Sequence, residues 1–126
     1  MDEKAELNRF AEMLLQLVRD EAISDCDALA AGGLFGPPAP NEAWRKLRVD
    51  QRTRETCREV IPDIVDQVLF RLLHALDQGD IPLAWQHEDG SCTSLYDLGR
   101  SEMAGWFGAS DPDGWRPRYS KRWRPL

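Results

Sequence analysis

The C-terminal end of the chain carries charge opposite in sign to the rest, and this separation limits how the chain can fold. Residues 115–126 read WRPRYSKRWRPL and contain five cations and no acid. Of the 16 Lys and Arg residues, 11 therefore remain for residues 1–114, which hold all 22 Asp and Glu residues. Because opposite charges on a small protein attract, we expect the basic tail to pack on the acidic body. A protein partner or single-stranded nucleic acid is the alternative target for this tail.

Length and composition favour one folded domain spanning residues 1–126. A chain of 126 residues can bury a core unaided, and 42% hydrophobic with 30% charged residues is typical of folded proteins. The cysteines, Cys26, Cys57 and Cys92, are odd in number and form no CxxC pair, so neither a full disulfide framework nor a zinc site is expected. No apolar run approaches the ~20 residues of a membrane span, and the acidic N-terminus does not resemble a secretory signal, so we expect a cytoplasmic protein.

Residues 1–31 form the first predicted helical region. Asp2 and Glu3 suit a helix N-terminus. Apolar residues then recur at steps of three and four, which predicts one buried stripe. Ser24 is expected to cap a further short turn that ends at Gly32 and Gly33. The predicted stripe consists of Leu7, Phe10, Ala11, Leu14, Leu17, Val18 and Ala22.

Residues 32–40 read GGLFGPPAP, a composition that excludes a regular element and predicts a linker. The linker contains the apolar pair Leu34 and Phe35. This pair either folds back onto the core or contacts a partner, and the sequence leaves both open.

Residues 41–79 are predicted to be helical with one break. Asn41 is a good N-cap, and Gly79 is a natural terminator. Pro62 disrupts a helix interior, so we expect a break or kink at residues 60–62 and a separate helix over residues 62–78. The apolar positions expected to face the core are Trp44, Leu47, Cys57, Ile61, Ile64, Val65, Val68, Leu72 and Leu76.

Residues 81–98 are predicted to form a β-hairpin around Asp89 and Gly90. A two-residue loop would pair His87 with Cys92, Trp85 with Ser94 and Leu83 with Tyr96. The predicted fold is therefore a small bundle of three to four helices with an appended hairpin and an extended basic tail over residues 115–126. Residues 103–107 fit either a strand or a short helix capped by Ser101.

An acidic face with an embedded aromatic ring is the main candidate binding surface. At 100° per residue, five positions of the third helix fall opposite its apolar stripe. An aromatic ring in such a face is either covered by another element, the tail being the obvious one, or contacts a partner. These positions are Asp63, Asp66, Phe70, His74 and Asp77.

The expected register would also place His87 against Cys92, a possible base and nucleophile. No third residue at known spacing completes this pair, and packing is the simpler interpretation. Neither a metal site nor a phosphate-binding or hydrolase motif is present, so no metal, cofactor or reaction is expected.

The tail supplies an alternative surface, because alternating aromatic and basic side chains can stack bases and neutralise phosphates. Its members are Arg116, Arg118, Tyr119, Lys121, Arg122, Trp123 and Arg124, and Arg45, Lys46 and Arg48 could add to them. The net charge of −6 argues against general nucleic-acid affinity.

In general character the chain resembles bacterial toxin-neutralising immunity proteins, which are small, acidic and without catalytic motifs. The resemblance is to a class and assigns no residue a role. We therefore expect a non-enzymatic immunity or antitoxin-type inhibitor whose acidic face binds a basic toxin or effector. A nucleic-acid-associated regulator and a small enzyme or ligand-binding domain at His87 and Cys92 are the alternatives. The oligomeric state is left open.

Overall fold

A computed structural model describes residues 2–32, 41–47 and 50–123. This part of the chain is mainly helical with one two-stranded antiparallel sheet, which confirms the predicted fold class at that level. It contains six helices rather than three to four. Helix α1 joins the segments Glu3–Met13, Leu14–Asp20 and Glu21–Ala31. The other elements are α2 (Ala43–Leu47), α3 (Gln51–Asp77), β1 (Ala84–Gln86), β2 (Cys92–Ser94), α4 (Leu95–Leu98), α5 (Met103–Gly108) and α6 (Trp115–Tyr119).

Helix α1 changes its winding in the middle. Asp2 caps its first turn and Gly32, with φ of 89°, ends it, as predicted. The segment Leu14–Asp20 is π-helical, with more residues per turn than an α-helix. The buried face therefore shifts, and Leu17 and Val18 are exposed although they belong to the predicted stripe. The helix continues past Ser24 without the predicted separate turn. Ala11 and Leu14 of the predicted stripe are buried as expected, and Leu15, Arg19 and Ile23 are buried in addition.

Helix α3 is continuous through Pro62, so the predicted break is wrong. It begins at Gln51, where the side chain of Asp50 accepts hydrogen bonds from the backbone N–H groups of Arg52 and Thr53. Proline removes one helical hydrogen bond, but tertiary packing supplies most helix stability. Buried Ile61 and Asp66 on either side of Pro62 provide that packing.

The face that α3 turns to the core is also rotated from the predicted one. Ile64, Val68 and Leu72 were expected in the core, but their exposed fractions are 58%, 64% and 37%. Asp66 and Asp77, expected on an exposed acidic face, are buried instead. Both carboxylates have partners inside the fold, described below. The apolar residues on the same inward side of α3 are Leu69, Leu73 and Leu76.

The hairpin forms with a register one residue away from the predicted one. Ala84 lies opposite Ser94 and Gln86 opposite Cys92. The loop has three residues rather than two, because the N–H of His87 donates to the carbonyl of Ser91. Gly90 takes the left-handed conformation at the end of that loop, with φ of 90°.

The strands are also shorter than predicted, because Leu95–Leu98 is helical. The side chain of Ser94 accepts a hydrogen bond from the N–H of Asp97 and so caps this helix. The predicted strand pair of Leu83 with Tyr96 is therefore absent, although the N–H of Leu95 donates to the carbonyl of Leu83.

The C-terminal elements close the core. Residues 103–107 are helical, and Asp77 rather than Ser101 accepts from the first N–H groups of α5. Residues 115–119 form helix α6 rather than an extended tail. Pro117 is tolerated there because first-turn N–H groups have no partner within a helix. The central core comprises Ala11, Leu14, Leu15, Leu69, Leu73, Leu76, Leu95, Leu98, Met103, Ala104, Phe107 and Trp115.

Residues 33–40 of the predicted linker, with Leu34 and Phe35, lie outside the described residues, as do Arg48 and Arg124. No helix in residues 2–32, 41–47 and 50–123 combines the length and hydropathy needed to cross a membrane.

Candidate functional site

A buried arginine organises the interface between α1, α3 and the C-terminal segment. Arg19 lies in the π-helical part of α1 and is only 1% exposed. Its Nε and Nη2 donate to the two carboxylate oxygens of Asp66 at 2.6 and 3.2 Å. A buried guanidinium needs such a paired, fork-like contact because desolvation without a partner is costly. The pair therefore joins α1 to α3 at one defined position.

Arg116 brings a second cation to the same carboxylate. Its Nη1 donates to Asp66 Oδ2 at 2.9 Å. Its remaining nitrogens donate to the carbonyl oxygens of Phe107 and Gly108, each at 2.9 Å. Arg116 thus connects the start of α6 to the end of α5 and to α3, and it is committed to the fold.

Asp20 holds the chain that follows α6. Its carboxylate accepts from Ser120 Oγ at 2.6 Å and from the N–H of Lys121 at 2.8 Å. Ser120 Oγ in turn accepts from Arg19 Nη1 at 2.9 Å. The acid next to the buried arginine therefore binds the backbone of the basic segment.

Arg122 and Trp123 complete this attachment. Arg122 Nη1 donates to Ser24 Oγ at 2.7 Å, and Nη2 pairs with Asp27. The Trp123 ring lies 4.7 Å from the guanidinium carbon of Arg116, a cation–π contact. The expectation that the tail packs on the body is thus confirmed for residues 115–123, although its main contacts are with α1 and Asp66.

A cleft of about 630 Å³ opens between these elements. Its inner wall is the paired cluster just described. Its rim, on the first half of α3, carries the exposed residues Glu55, Arg58, Glu59 and Asp63. We call it the α1–α3 cleft. The lining residues are Arg19, Ile23, Asp27, Glu55, Arg58, Glu59, Pro62, Asp63, Asp66, Ser110, Arg116, Arg122 and Trp123.

The rim of the α1–α3 cleft has an excess of uncompensated negative charge. Glu59 and Asp63 make no hydrogen bond or ion pair with any described residue, and Glu55 accepts only from Gln51 Nε2 at 3.2 Å. Arg58 is the single rim cation among the described lining residues. The cations deeper in the cleft are already paired. A ligand entering from solvent therefore meets three carboxylates and one guanidinium at the rim.

A smaller hollow of about 290 Å³ continues along α3 and shares Asp63, Asp66 and Arg116 with the cleft. Phe70 forms one side of it and is half-buried, with Gly108 against its ring. Predicted site residues Asp63, Asp66 and Phe70 are therefore brought together.

The other two predicted residues are placed differently. His74 is exposed and its ring stacks on Phe70 with centroids 6.3 Å apart. Asp77 is 4% exposed, and its carboxylate accepts from the N–H groups of Met103 and Ala104 at 3.1 and 2.8 Å. Asp77 thus holds α5 and is turned away from solvent.

The alternative nucleic-acid surface is divided by the fold. Arg116 and Arg122 are held in internal pairs, and Trp123 is half-buried beside them. Arg118 and Lys121 are exposed, with Arg118 lying 5.0 Å above the Tyr119 ring. Burial raises the pKa of the Tyr119 hydroxyl. Among the cations at residues 115–123, only Arg118 and Lys121 therefore have no hydrogen-bonded carboxylate.

The predicted contact between His87 and Cys92 is wrong because the hairpin register differs. Cys92 is exposed, whereas His87 is 3% exposed and its Nε2 lies 2.5 Å from Thr93 Oγ1. A buried imidazole apart from the thiol cannot activate it.

A buried polar junction instead joins the hairpin to α1, and no local pattern of residues predicted it. Glu6 accepts from Trp85 Nε1 at 3.0 Å, from the N–H of Glu88 and from Arg9. These donors, with the Trp85 indole foremost, lower the pKa of the Glu6 carboxyl. His87 Nδ1 lies 3.8 Å from the same carboxylate.

The role of Arg19 was also not predicted from the sequence, because an arginine in a helix is normally expected to be exposed to solvent.

Within the described ranges, no group of three or more His, Cys, Asp or Glu residues is arranged to hold a metal ion. In comparisons with known proteins, the chain matches no family model, no curated protein and no solved structure.

Proposed function

We propose that this protein is a non-enzymatic binding module, of the immunity or antitoxin type, that captures a basic protein at the α1–α3 cleft. One observation carries the proposal: the rim carboxylates Glu59 and Asp63 are exposed and unpaired, while the cations behind them are neutralised inside the fold. A lysine or arginine side chain of a partner would find an unmatched carboxylate at this entrance.

The shape of the cleft supports a partner side chain as the occupant. A volume of about 630 Å³ accommodates one or two long side chains, and the Trp123 ring supplies an apolar surface beside the paired arginines. Opposite charge at a rim accelerates encounter, whereas aromatic residues in a desolvated pocket contribute most affinity. Phe70 in the adjoining hollow offers a second aromatic contact.

The alternative functions receive less support from the geometry. Nucleic-acid binding would require the tail cations, but Arg116 and Arg122 already serve internal carboxylates. Chemistry at the hairpin would require the pairing of His87 with Cys92, which the observed register removes.

The proposal is tested by reversing the rim charge in Glu59→Lys/Asp63→Lys. A matched control exists in Glu21→Lys/Asp25→Lys, which changes the same residue types at the same spacing on the exposed side of α1. The binding partner to be assayed is the product of the neighbouring reading frame, by titration calorimetry at two salt concentrations. We expect the rim variant to lose at least tenfold in affinity and the control to retain it, with wild-type binding weakened by salt.

Equal losses of affinity in both variants would show that binding depends on net charge alone and that the cleft is not the binding site. If wild type binds neither that product nor any basic protein recovered from the native host, the proposed function is wrong. Binding of single-stranded DNA by the wild type, abolished by truncation after Gly114, would favour the nucleic-acid alternative.

A further inference from the structure

Residues 120–123 are attached differently from the helix before them, and we call them the C-terminal strap. Helix α6 is anchored in the core by Trp115, which is 4% exposed. Ser120 then has extended backbone, with φ of −72° and ψ of 139°, and ends the helix. The strap has no aliphatic residue, and hydrogen bonds, ion pairs and the Trp123 ring hold it to the body. Release of the strap would therefore leave α6 in place.

Three polar residues of α1 receive the strap, and we call them the α1 receptor row. Asp20, Ser24 and Asp27 are spaced by four and three positions, so they lie on one face of the helix. Asp20 accepts from the backbone N–H of Lys121, and Ser24 and Asp27 both bind the guanidinium of Arg122. The row is thus a receptor for an extended basic segment, and the chain's own C-terminal residues occupy it.

The contact between Arg122 and Asp27 leaves binding capacity unused. Arg122 donates from one nitrogen to Ser24 and from another to Asp27 Oδ2, so its guanidinium is shared between two side chains. Asp27 Oδ1 is buried and has no hydrogen-bond partner among the described residues. A guanidinium that faced Asp27 alone would donate to both oxygens in a stronger, fork-like pair. Because a buried acceptor without a donor is costly, a better-placed cation has an advantage over Arg122.

The α1 receptor row opens onto the α1–α3 cleft. Asp27, Arg122 and Trp123 line this cleft together with the rim residues Glu59 and Asp63. A basic segment that binds the rim carboxylates therefore lies in the same opening as Asp27, for which the strap already supplies a cation.

We propose that the strap is an internal ligand, and that an arginine-containing basic segment of the partner displaces it from the α1 receptor row. The source of that segment rests on the proposed function, namely capture of a basic protein at the cleft. The inference adds the chemistry that is recognised: an arginine in an extended chain beside an aromatic residue, as in Arg122 and Trp123 of the strap.

Competition with the strap reduces the apparent affinity for the partner. The row is closed while the strap is bound, so affinity falls in proportion to the fraction of molecules in which it is open. A segment tethered to its own receptor competes at an effective concentration of about 1 mM. Contacts at the rim as well as at the row are therefore needed to displace it.

The first test uses a synthetic peptide of residues 118–123, RYSKRW, capped at both ends, labelled with fluorescein and followed by anisotropy. Full-length Arg122→Gln has a weakened strap and should bind the peptide about fivefold or more tightly than wild type. Trp123→Ala weakens the strap without changing its charge and should act in the same way. The matched control Arg118→Gln removes an exposed cation outside the strap and should bind the peptide as wild type does. Equal affinity of wild type and both strap variants would overturn the proposal.

A second set of variants locates the bound peptide. In the Arg122→Gln protein, the additional change Asp27→Asn should weaken peptide binding about fivefold or more, because the peptide guanidinium loses its carboxylate partner. Asp25→Asn in the same protein removes an exposed acid two positions away and should leave the affinity unchanged. Equal losses from the two changes would show that the peptide responds to net charge rather than to the α1 receptor row, which refutes the proposal.

The partner assay separates this inference from the proposed function. In titration calorimetry with the product of the neighbouring reading frame, Arg122→Gln should bind about fivefold or more tightly than wild type, whereas Arg118→Gln should not. If wild type binds this product and Arg122→Gln binds it no more tightly, displacement of the strap is wrong and the cleft function stands. If wild type binds no partner, the proposed function fails, and the peptide assay still decides whether the strap is an internal ligand.

Discussion

Asp63 and Asp66 lie three residues apart on the same helix, and the fold uses them in different ways. Asp66 is 8% exposed and is bound by Arg19 and Arg116, whereas Asp63 is exposed and has no ion-pair partner among the described residues. The same chemical group therefore joins three elements in one position and is available for binding in the other. The structural role of Asp66 and the availability of Asp63 differ because only Asp66 can reach a buried guanidinium; the residue type is the same.

The largest expected effect comes from breaking the inner pair with Asp66→Ala. This leaves Arg19 almost fully buried with only Asp20, at 3.4 Å, as a carboxylate partner. We expect a loss of about 3 kcal/mol in the free energy of unfolding, or roughly 10 °C in Tm. Asp63→Ala is the matched control and should change stability by less than about 0.5 kcal/mol. Chemical denaturation followed by circular dichroism measures both. Similar values for the two variants would remove the distinction between them.

The variant Asp77→Ala extends the comparison to a third carboxylate of α3, which is buried and binds backbone N–H groups rather than a cation. Its loss would leave the first N–H groups of α5 without their acceptor inside the core. We expect destabilisation by about 1–2 kcal/mol, which is smaller than for Asp66 because no buried charge is left unpaired. Hydrogen exchange of the Met103 and Ala104 amides should accelerate more than that of Leu69 and Leu73. Unchanged protection at α5 would contradict the proposed capping role.

The smallest effect concerns Glu6 at the junction of α1 with the hairpin. The Trp85 indole and the other donors lower the pKa of this carboxyl in the folded state. The stabilisation is therefore present above the ordinary glutamate pKa of about 4.3 and is lost as the pH falls through the lower folded-state value. The difference in Tm between wild type and Glu6→Gln should be largest near neutral pH and shrink on acidification. A difference that stays constant with pH would show that Glu6 acts through neutral hydrogen bonding alone.

Local signals in the sequence predicted the elements better than they predicted the faces that those elements bury. Asp2, Gly32 and the apolar spacing indicated helix α1, and Asp89 with Gly90 indicated the hairpin, because caps and turns depend on neighbouring residues. The break at Pro62 was wrong because the cost of proline is local, whereas the packing that offsets it comes from distant residues. The hairpin register was wrong by one residue because Gly90 serves a three-residue loop as well as a two-residue one.

The candidate site was predicted in part. Asp63, Asp66 and Phe70 do lie along one opening, but the partners that decide their availability come from elsewhere in the chain. Arg19 and Asp66 are 47 positions apart, and no spacing rule links them. The apolar pattern of α3 predicted burial for Ile64 and Val68, which the fold leaves exposed because a second apolar row of the same helix faces the core. That row includes Leu69 and Leu73.

By itself, the sequence determined the helical character, the two ends of α1, the place of the hairpin turn, and the attraction of a basic C-terminal segment to an acidic body. These follow from interactions between near neighbours and from net charge. Only the tertiary structure decided which carboxylates are buried against arginine and which remain at the rim of the cleft. The reason is that the cost of burying a charge depends on partners distant in the chain, and those partners meet only when the helices have packed.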